Sequence, residues 1–170
     1  MNSYLPPFNL QGWINDNREK LKPPVGNQVI YKDSDFIVMV VGGPNIRKDY
    51  HVNHTEEFFY QVEGDITLKV HEDGMIRDIS IREGEIFLLP PSIPHSPQRP
   101  EHTVGLVIER QRPEGVQDGF IWYCDNCGAK VFESFFRLEN IVKQLPPLFK
   151  DFYADPKKHT CSQCNHKNER

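Results

Sequence analysis

The chain has 170 residues, enough for one domain and at most a small appendage. Hydrophobic residues make up 38% and charged residues 26%, and the longest apolar runs, such as Phe36 to Val41, are far too short to cross a bilayer, which argues against a membrane protein. A formal net charge of −4 lacks the basic footprint of a nucleic-acid-binding protein, so that class is disfavoured.

The opening residues, Met1-Asn2-Ser3-Tyr4-Leu5-Pro6-Pro7, carry neither a basic n-region nor an apolar h-region. No signal peptide is therefore expected, and the cytoplasm is the expected location. A short helix is expected from about Phe8 to Lys22, with Asn9 as cap and Leu10, Trp13, Ile14 and Leu21 at helical spacing. Pro23-Pro24 ends it. From Gln28 to Trp122 the pattern reads as strands: Val29 to Tyr31, Phe36 to Val41, Glu57 to Val62, Ile66 to His71, Ile76 to Arg82, Ile86 to Leu89, Val104 to Glu109 and Phe120 to Tyr123. Turn sequences separate them, among them Lys32-Asp33-Ser34-Asp35, Glu63-Gly64-Asp65, Glu72-Asp73-Gly74 and Arg82-Glu83-Gly84-Glu85. So many short strands with no helix between them predict an all-β sandwich or barrel. Five prolines fall between Pro90 and Pro100, a stiff loop that suits a pre-organised site. In the tail, Lys130 to Phe136 reads as a further strand, and Leu138 to Tyr153 as a helical stretch interrupted by Pro146-Pro147.

The segment His51-Val52-Asn53-His54-Thr55-Glu56-Glu57 places a histidine six residues before a glutamate, and Gly84 to Pro90 leads on to Pro94-His95. Two histidines and one carboxylate form the facial set that suits non-haem Fe(II) with open coordination positions. The pair of segments resembles the two cupin motifs. His51, Glu57 and Gly64 match the first, with Asn53 in place of its second histidine. Gly84, Pro90 and His95 match the second, with Ser92 for its glycine and Arg99 for its asparagine. That resemblance implies a jelly-roll barrel with His51, Glu57 and His95 as the ligand set. His54 and Glu56 compete for the role. Register favours Glu57, because Glu56 would point to the other face of the same strand. His71, His102, His159 and His166 are expected at the solvated surface.

Arg47 precedes the first histidine by four residues, and Arg99 follows the last by four. Both could reach one pocket, where a guanidinium fork suits a carboxylate. Leu21 to Asn27, Val41 to Asn45, Asp49 to His51, Glu56 to Gln61, Ile86 to Pro91, His95 to Pro100, Val107 to Pro113 and Trp122 to Cys124 extend the likeness. Over nearly its whole length the chain resembles the 3-hydroxyanthranilate 3,4-dioxygenase family of bacterial and fungal type. The resemblance implies catalytic Fe(II) at His51, Glu57 and His95. It also implies substrate contacts from Arg47, Arg99 and Glu109, with Glu57, Asn27 and Pro97 nearby, and Arg47 beside bound O2. The reaction implied is O2-dependent ring opening of 3-hydroxyanthranilate to 2-amino-3-carboxymuconate semialdehyde, which cyclises to quinolinate. The family implies a homodimer. The rival readings are a related dioxygenase for another aminophenol or a salicylate-type acid, and a non-catalytic metal-binding cupin.

All four cysteines fall in two Cys-x-x-Cys pairs, Cys124/Cys127 and Cys161/Cys164, with 33 residues between the pairs. Two such knuckles in a reducing compartment signal a tetrathiolate site for Zn(II) or a rubredoxin-like Fe, and a closed four-thiolate site is structural. The expected organisation is a cupin barrel with its N-terminal helix over 1–120 and a small α/irregular extension carrying the four-cysteine metal site over 121–170.

Overall fold

The computed structural model describes residues 6–23, 26–31, 34–139 and 141–169, with backbone alone at 141 and 142. The leader reading of Met1 to Leu5, Pro24 of the helix stop and Lys32-Asp33 of the first turn lie outside the described residues.

Helix α1 (Leu10–Asn17) starts where Asn9 caps it, the side-chain oxygen accepting from the Gly12 amide at 2.8 Å. A 3-10 turn over Arg18–Leu21 follows. Ile14 and Leu21 are buried against Val40 and Val104, so the helix covers one end of a sheet. Eleven strands form among the described residues. They are β1 (Asn27–Val29), β2 (Phe36–Gly42), β3 (Asp49–Val52), β4 (Glu57–Glu63), β5 (Ile66–Glu72) and β6 (Met75–Ile81). The remainder are β7 (Ile86–Leu89), β8 (His95–Gln98), β9 (Val104–Arg110), β10 (Asp118–Tyr123) and β11 (Lys130–Phe136).

Two antiparallel sheets result, in the orders β1-β2-β9-β4-β7 and β11-β10-β3-β8-β5-β6. This is the expected two-sheet jelly roll. Met39, Phe59, Leu68, Val70, Leu89 and Val107 fill the space between them. Period-2 alternation sorts the first sheet into rungs. Ile37, Glu109 and Glu57 share one inner rung, Met39, Val107 and Phe59 the next, and Val41, Gly105 and Gln61 a third. On the outer face Val38, Ile108, Phe58 and Leu88 form an apolar row across four strands, with Leu88 57% exposed.

Three expectations need correction. Strands β3 and β8 are present although the sequence pattern did not mark them. Each is four residues long and rich in polar side chains, so neither offers a β-branched run. Helix α2 (Ile141–Ala154) runs through Pro146-Pro147 without interruption. A proline inside a helix costs about 3 kcal/mol. Leu145, Leu148, Phe149 and Phe152 of this helix pack against Phe120 and Trp122, and burial contributes roughly 1.5–3 kcal/mol for each side chain fully covered. His159, in the short helix α3 (Pro156–His159), is buried against Phe152 and Tyr153 rather than solvated, because the turn into the second knuckle folds it inward. Strand β10 itself runs across positions 120 and 121 and pairs with β3 on one side and β11 on the other. No helix among the described residues is long and apolar enough to cross a membrane.

Candidate metal and substrate site

Strands β3 and β8 meet at the register pair His51 and His95, which sets the two imidazoles side by side. Glu57, the first residue of β4, reaches both from the facing sheet. Its Oε1 lies 3.3 Å from His51 Nδ1 and its Oε2 3.2 Å from His95 Nε2. One ligand atom from each of the three lies within 4.8 Å of the others. Glu57 Oε1 is buried and makes no hydrogen bond of good geometry. A buried carboxylate that turns one oxygen to each of two imidazole nitrogens, one of those oxygens orphaned, is the donor set a divalent cation satisfies.

The outer nitrogen of each ring is also held. His95 Nδ1 is 3.0 Å from the Ile93 carbonyl, an acceptor, so Nδ1 carries a proton and Nε2 faces Glu57. His51 Nε2 is 2.7 Å from Asp118 Oδ2, which leaves Nδ1 toward Glu57. Burial works against charge on His51, but its hydrogen bond with Asp118 and the adjacent Glu57 carboxylate raise its pKa to about 9. Burial likewise opposes the Glu57 charge, yet His95 and His51 hold its carboxyl well below the usual carboxylate range. The competing candidates fall away: His54 and Glu56 are exposed. Asn53, which stands at the motif's second histidine, donates instead to Glu109 Oε2 at 2.9 Å.

One cavity is lined by His51, Glu57 and His95 together with Asn27, Arg47, Pro97, Arg99 and Glu109, so every residue the sequence nominated for this site meets there. Met39, Val41, Phe59, Val107 and Phe120 add apolar wall, and Leu138 and Leu145 reach it from the C-terminal region. The two arginines differ. Arg47 is paired with buried Asp49, and despite its burial the field and hydrogen bond of Asp49 raise its pKa. Arg99 is 3% exposed and takes part in no ion pair among the described residues. Among the described residues its side chain donates only to Gln61 Oε1, at 3.3 Å. Burial, followed by the charge of Arg47, lowers its pKa to about 10.

Two members of the site were missed. Arg112 lines the cavity and joins two carboxylates, its Nη2 standing 2.6 Å from both Glu109 Oε2 and Asp118 Oδ2. Burial and the charge of Glu57 push Glu109 up to about 7, against the pull of Arg112 and His51. Asp118 opens a strand whose other residues are apolar or glycine, and that isolated acid was the available signal.

At the other centre, Cys124, Cys127, Cys161 and Cys164 place their sulfurs within 4.8 Å of one another, enough to hold one ion. The knuckles are built alike. The Gly128 amide donates to the Cys124 carbonyl and the Asn165 amide to the Cys161 carbonyl, both at 2.9 Å. Gly128 and Asn165 each take positive φ, of 74° and 57°. Asn126 Nδ2 and the His166 amide favour a thiolate at Cys164 and lower its pKa to about 6. Buried Asn168 ties the halves together, donating to the Tyr123 carbonyl at 2.7 Å and accepting from the Asp125 amide at 3.1 Å.

The sequence profile of the 3-HAO family, 3-hydroxyanthranilic acid dioxygenase, matches residues 2–153. The chain is 56% identical over 167 residues to a 3-hydroxyanthranilate 3,4-dioxygenase of Paraburkholderia phytofirmans, covering 98% of this chain and 96% of that one. It is 54% identical over 162 residues to the enzyme of the same name from Xanthomonas euvesicatoria, covering 95% and 92%. Among solved structures, a cupin-2 domain containing protein from Shewanella frigidimarina is similar at 20% identity and a TM-score of 0.46, over 61% of this chain and 100% of that one. With most of its length matched by the profile and by relatives above half identity, the chain belongs to the 3-hydroxyanthranilic acid dioxygenase family.

Proposed function

We propose that this chain is an Fe(II)- and O2-dependent 3-hydroxyanthranilate 3,4-dioxygenase, opening the ring to 2-amino-3-carboxymuconate semialdehyde, which cyclises to quinolinate. The observation that carries the reading is Arg99, a buried guanidinium without a carboxylate partner among the described residues, lining the same cavity as His51, Glu57 and His95. A buried cation of this kind calls for an anion, and 3-hydroxyanthranilate brings a carboxylate on a ring whose amino and hydroxyl groups can turn toward a metal. His51, Glu57 and His95 would hold the Fe(II), which supplies Lewis acidity and a redox route between ring and oxygen.

Arg99, with Arg47 beside it, takes the substrate carboxylate and sets the orientation of the ring. Arg47 would also contact O2, as the family resemblance implies. Glu109, raised to about 7 and steadied by Asn53 and Arg112, accepts the proton that the substrate hydroxyl sheds on docking. Asn27 and Pro97 flank the substrate, while Phe59, Phe120 and Val107 exclude water. The four cysteines take a second ion, Fe or Zn, that holds the knuckles together and does no chemistry. Four thiols placed for metal suit a reducing cytoplasm. A homodimer whose second copy covers the Val38-Ile108-Phe58-Leu88 row completes the reading, and a monomer by sedimentation would remove that part.

The test is anaerobic Fe(II) loading, then O2 with 3-hydroxyanthranilate, followed by ultraviolet absorbance and an oxygen electrode. Semialdehyde formation with one O2 consumed per ring is expected. No oxygen uptake overturns the activity, and preferential turnover of 2-aminophenol or salicylate moves it to another substrate.

A further inference from the structure

Arg99 is fixed at both ends. Its amide donates to Asn45 Oδ1 at 2.8 Å, and its carbonyl accepts from the Asn45 amide at 3.0 Å. Asn45 Nδ2 in turn donates to the Pro97 carbonyl at 2.9 Å. The backbone is therefore pinned, and what remains to be set is the direction of the guanidinium.

Two residues of the third inner rung set it. Gln61 and Gly105 are register partners on β4 and β9. Gln61 is 1% exposed, its amide nitrogen donating to the Glu63 carbonyl at 2.9 Å and its oxygen accepting from Arg99 Nη1 at 3.3 Å. The amide can adopt only this orientation, because the carbonyl cannot donate and the guanidinium cannot accept. Gln61 main-chain bonds to Glu85 and Gly84, at 3.0 and 2.8 Å, hold its strand in place.

Gly105 supplies the room. A methyl added to its Cα would lie 2.8 Å from Arg99 Nη1, 2.9 Å from Gln61 Oε1 and 3.2 Å from Arg99 Nη2. All three are ends of side chains and none is backbone. An alanine at 105 can therefore be accommodated by turning the guanidinium aside, with the barrel left in place. Gly105 does not need glycine for its own conformation, since its φ lies outside the positive region. The glycine is explained by the space it leaves.

We propose that Gly105 and Gln61 are positioning residues that aim the Arg99 fork, and that together they set the preference of the site for rings carrying a carboxylate. The inference rests on the reading of Arg99 as the substrate's carboxylate partner. It goes beyond that reading by naming the groups that give Arg99 its direction.

The experiment measures equilibrium binding of 3-hydroxyanthranilate and of 2-aminophenol to the metal-loaded protein without oxygen. The second probe keeps the amino and hydroxyl groups and lacks the carboxylate. Gly105→Ala and Gln61→Met are each expected to raise the Kd for 3-hydroxyanthranilate roughly tenfold and to leave that for 2-aminophenol within about twofold. Equal weakening of both ligands would mean general damage to the pocket and overturn the inference, as would no change in either. Arg99→Ala separates the two levels. If it loses the preference while Gly105→Ala and Gln61→Met keep it, the positioning inference alone fails. If Arg99→Ala itself keeps the preference, the carboxylate reading fails and this inference with it. Should Gly105→Ala not fold, Gln61→Met carries the test, since it replaces the amide with an unbranched side chain of similar length and adds no bulk at position 105.

Discussion

Asp118 stands directly behind His51: its Oδ2 lies 2.7 Å from His51 Nε2, the ring nitrogen turned away from Glu57. A carboxylate there fixes the tautomer and ring orientation that present Nδ1 to a metal. Asp118→Asn removes the obligate acceptor and is expected to weaken divalent-ion binding roughly 10–100-fold. Competition against a chelator measures this, and an unchanged affinity would contradict the orienting role.

His95 supplies Nε2 from a ring held by the Ile93 carbonyl. His95→Ala leaves two ligands and should abolish both iron retention and turnover. Metal analysis after desalting is the direct measurement. A variant that stays loaded and active would sink the three-ligand assignment.

The two arginines should not contribute equally. Arg99→Ala removes an unbalanced buried cation and is expected to cost roughly 1.5–3 kcal/mol in kcat/KM, with iron retained. Arg47 already shares its charge with Asp49, so Arg47→Ala should cost less. Steady-state kinetics on iron-replete variants decides it, and the opposite order would count against Arg99 as the main carboxylate partner.

The metal-free protein should lose stability as pH rises. His51 is raised from 6.5 to about 9, so its protonated form stabilises the fold fully below pH 6.5, and that contribution disappears as pH climbs through about 9. Glu109 is raised from 4.5 to about 7, so its stabilising neutral form is lost over that lower window. Thermal unfolding between pH 6 and 9, in roughly half-unit steps, should show a falling Tm without metal. Loading should flatten the upper part of the curve, because an ion then occupies the place of the proton at His51. A Tm that is flat or rising across this range without metal would refute the assignment.

Cys161 is fully buried within the second knuckle. Cys161→Ser should lower Tm by several degrees, while kcat in the protein that remains folded changes little. A large fall in kcat at unchanged Tm, with iron still at the histidines, would give the cysteine centre a direct part in turnover.

The chemistry written as spacing was legible: two Cys-x-x-Cys pairs, a His and a Glu six residues apart, and a histidine behind a proline-stiffened loop. Within each of these motifs the groups are tied together by short stretches of chain. Asp118 and His51 are 67 residues apart, and their contact exists only because β10 pairs with β3. Gln61 and Gly105 meet only through the β4–β9 register. Strands β3 and β8 were illegible for a different reason. They are held by ladder partners on both sides, so they need no apolar run of their own. The prolines of α2 misled in the same way, because the contacts that keep the helix intact come from Trp122 and Phe120, far away in sequence.

The ion-pair network also ties the charge of the cavity to the metal. Arg47, Arg99 and Arg112 line the cavity with Glu57 and Glu109, while Asp49 and Asp118 pair with Arg47 and Arg112 from behind it. With all four carboxyl groups ionised these residues leave one negative charge in excess, and the proton that metal-free His51 holds below about pH 9 cancels it. A divalent cation that displaces this proton leaves one positive charge in excess, and a monoanionic aromatic acid then brings the filled cavity to neutrality. The exchange of proton for metal is thus the step that leaves the site short of an anion.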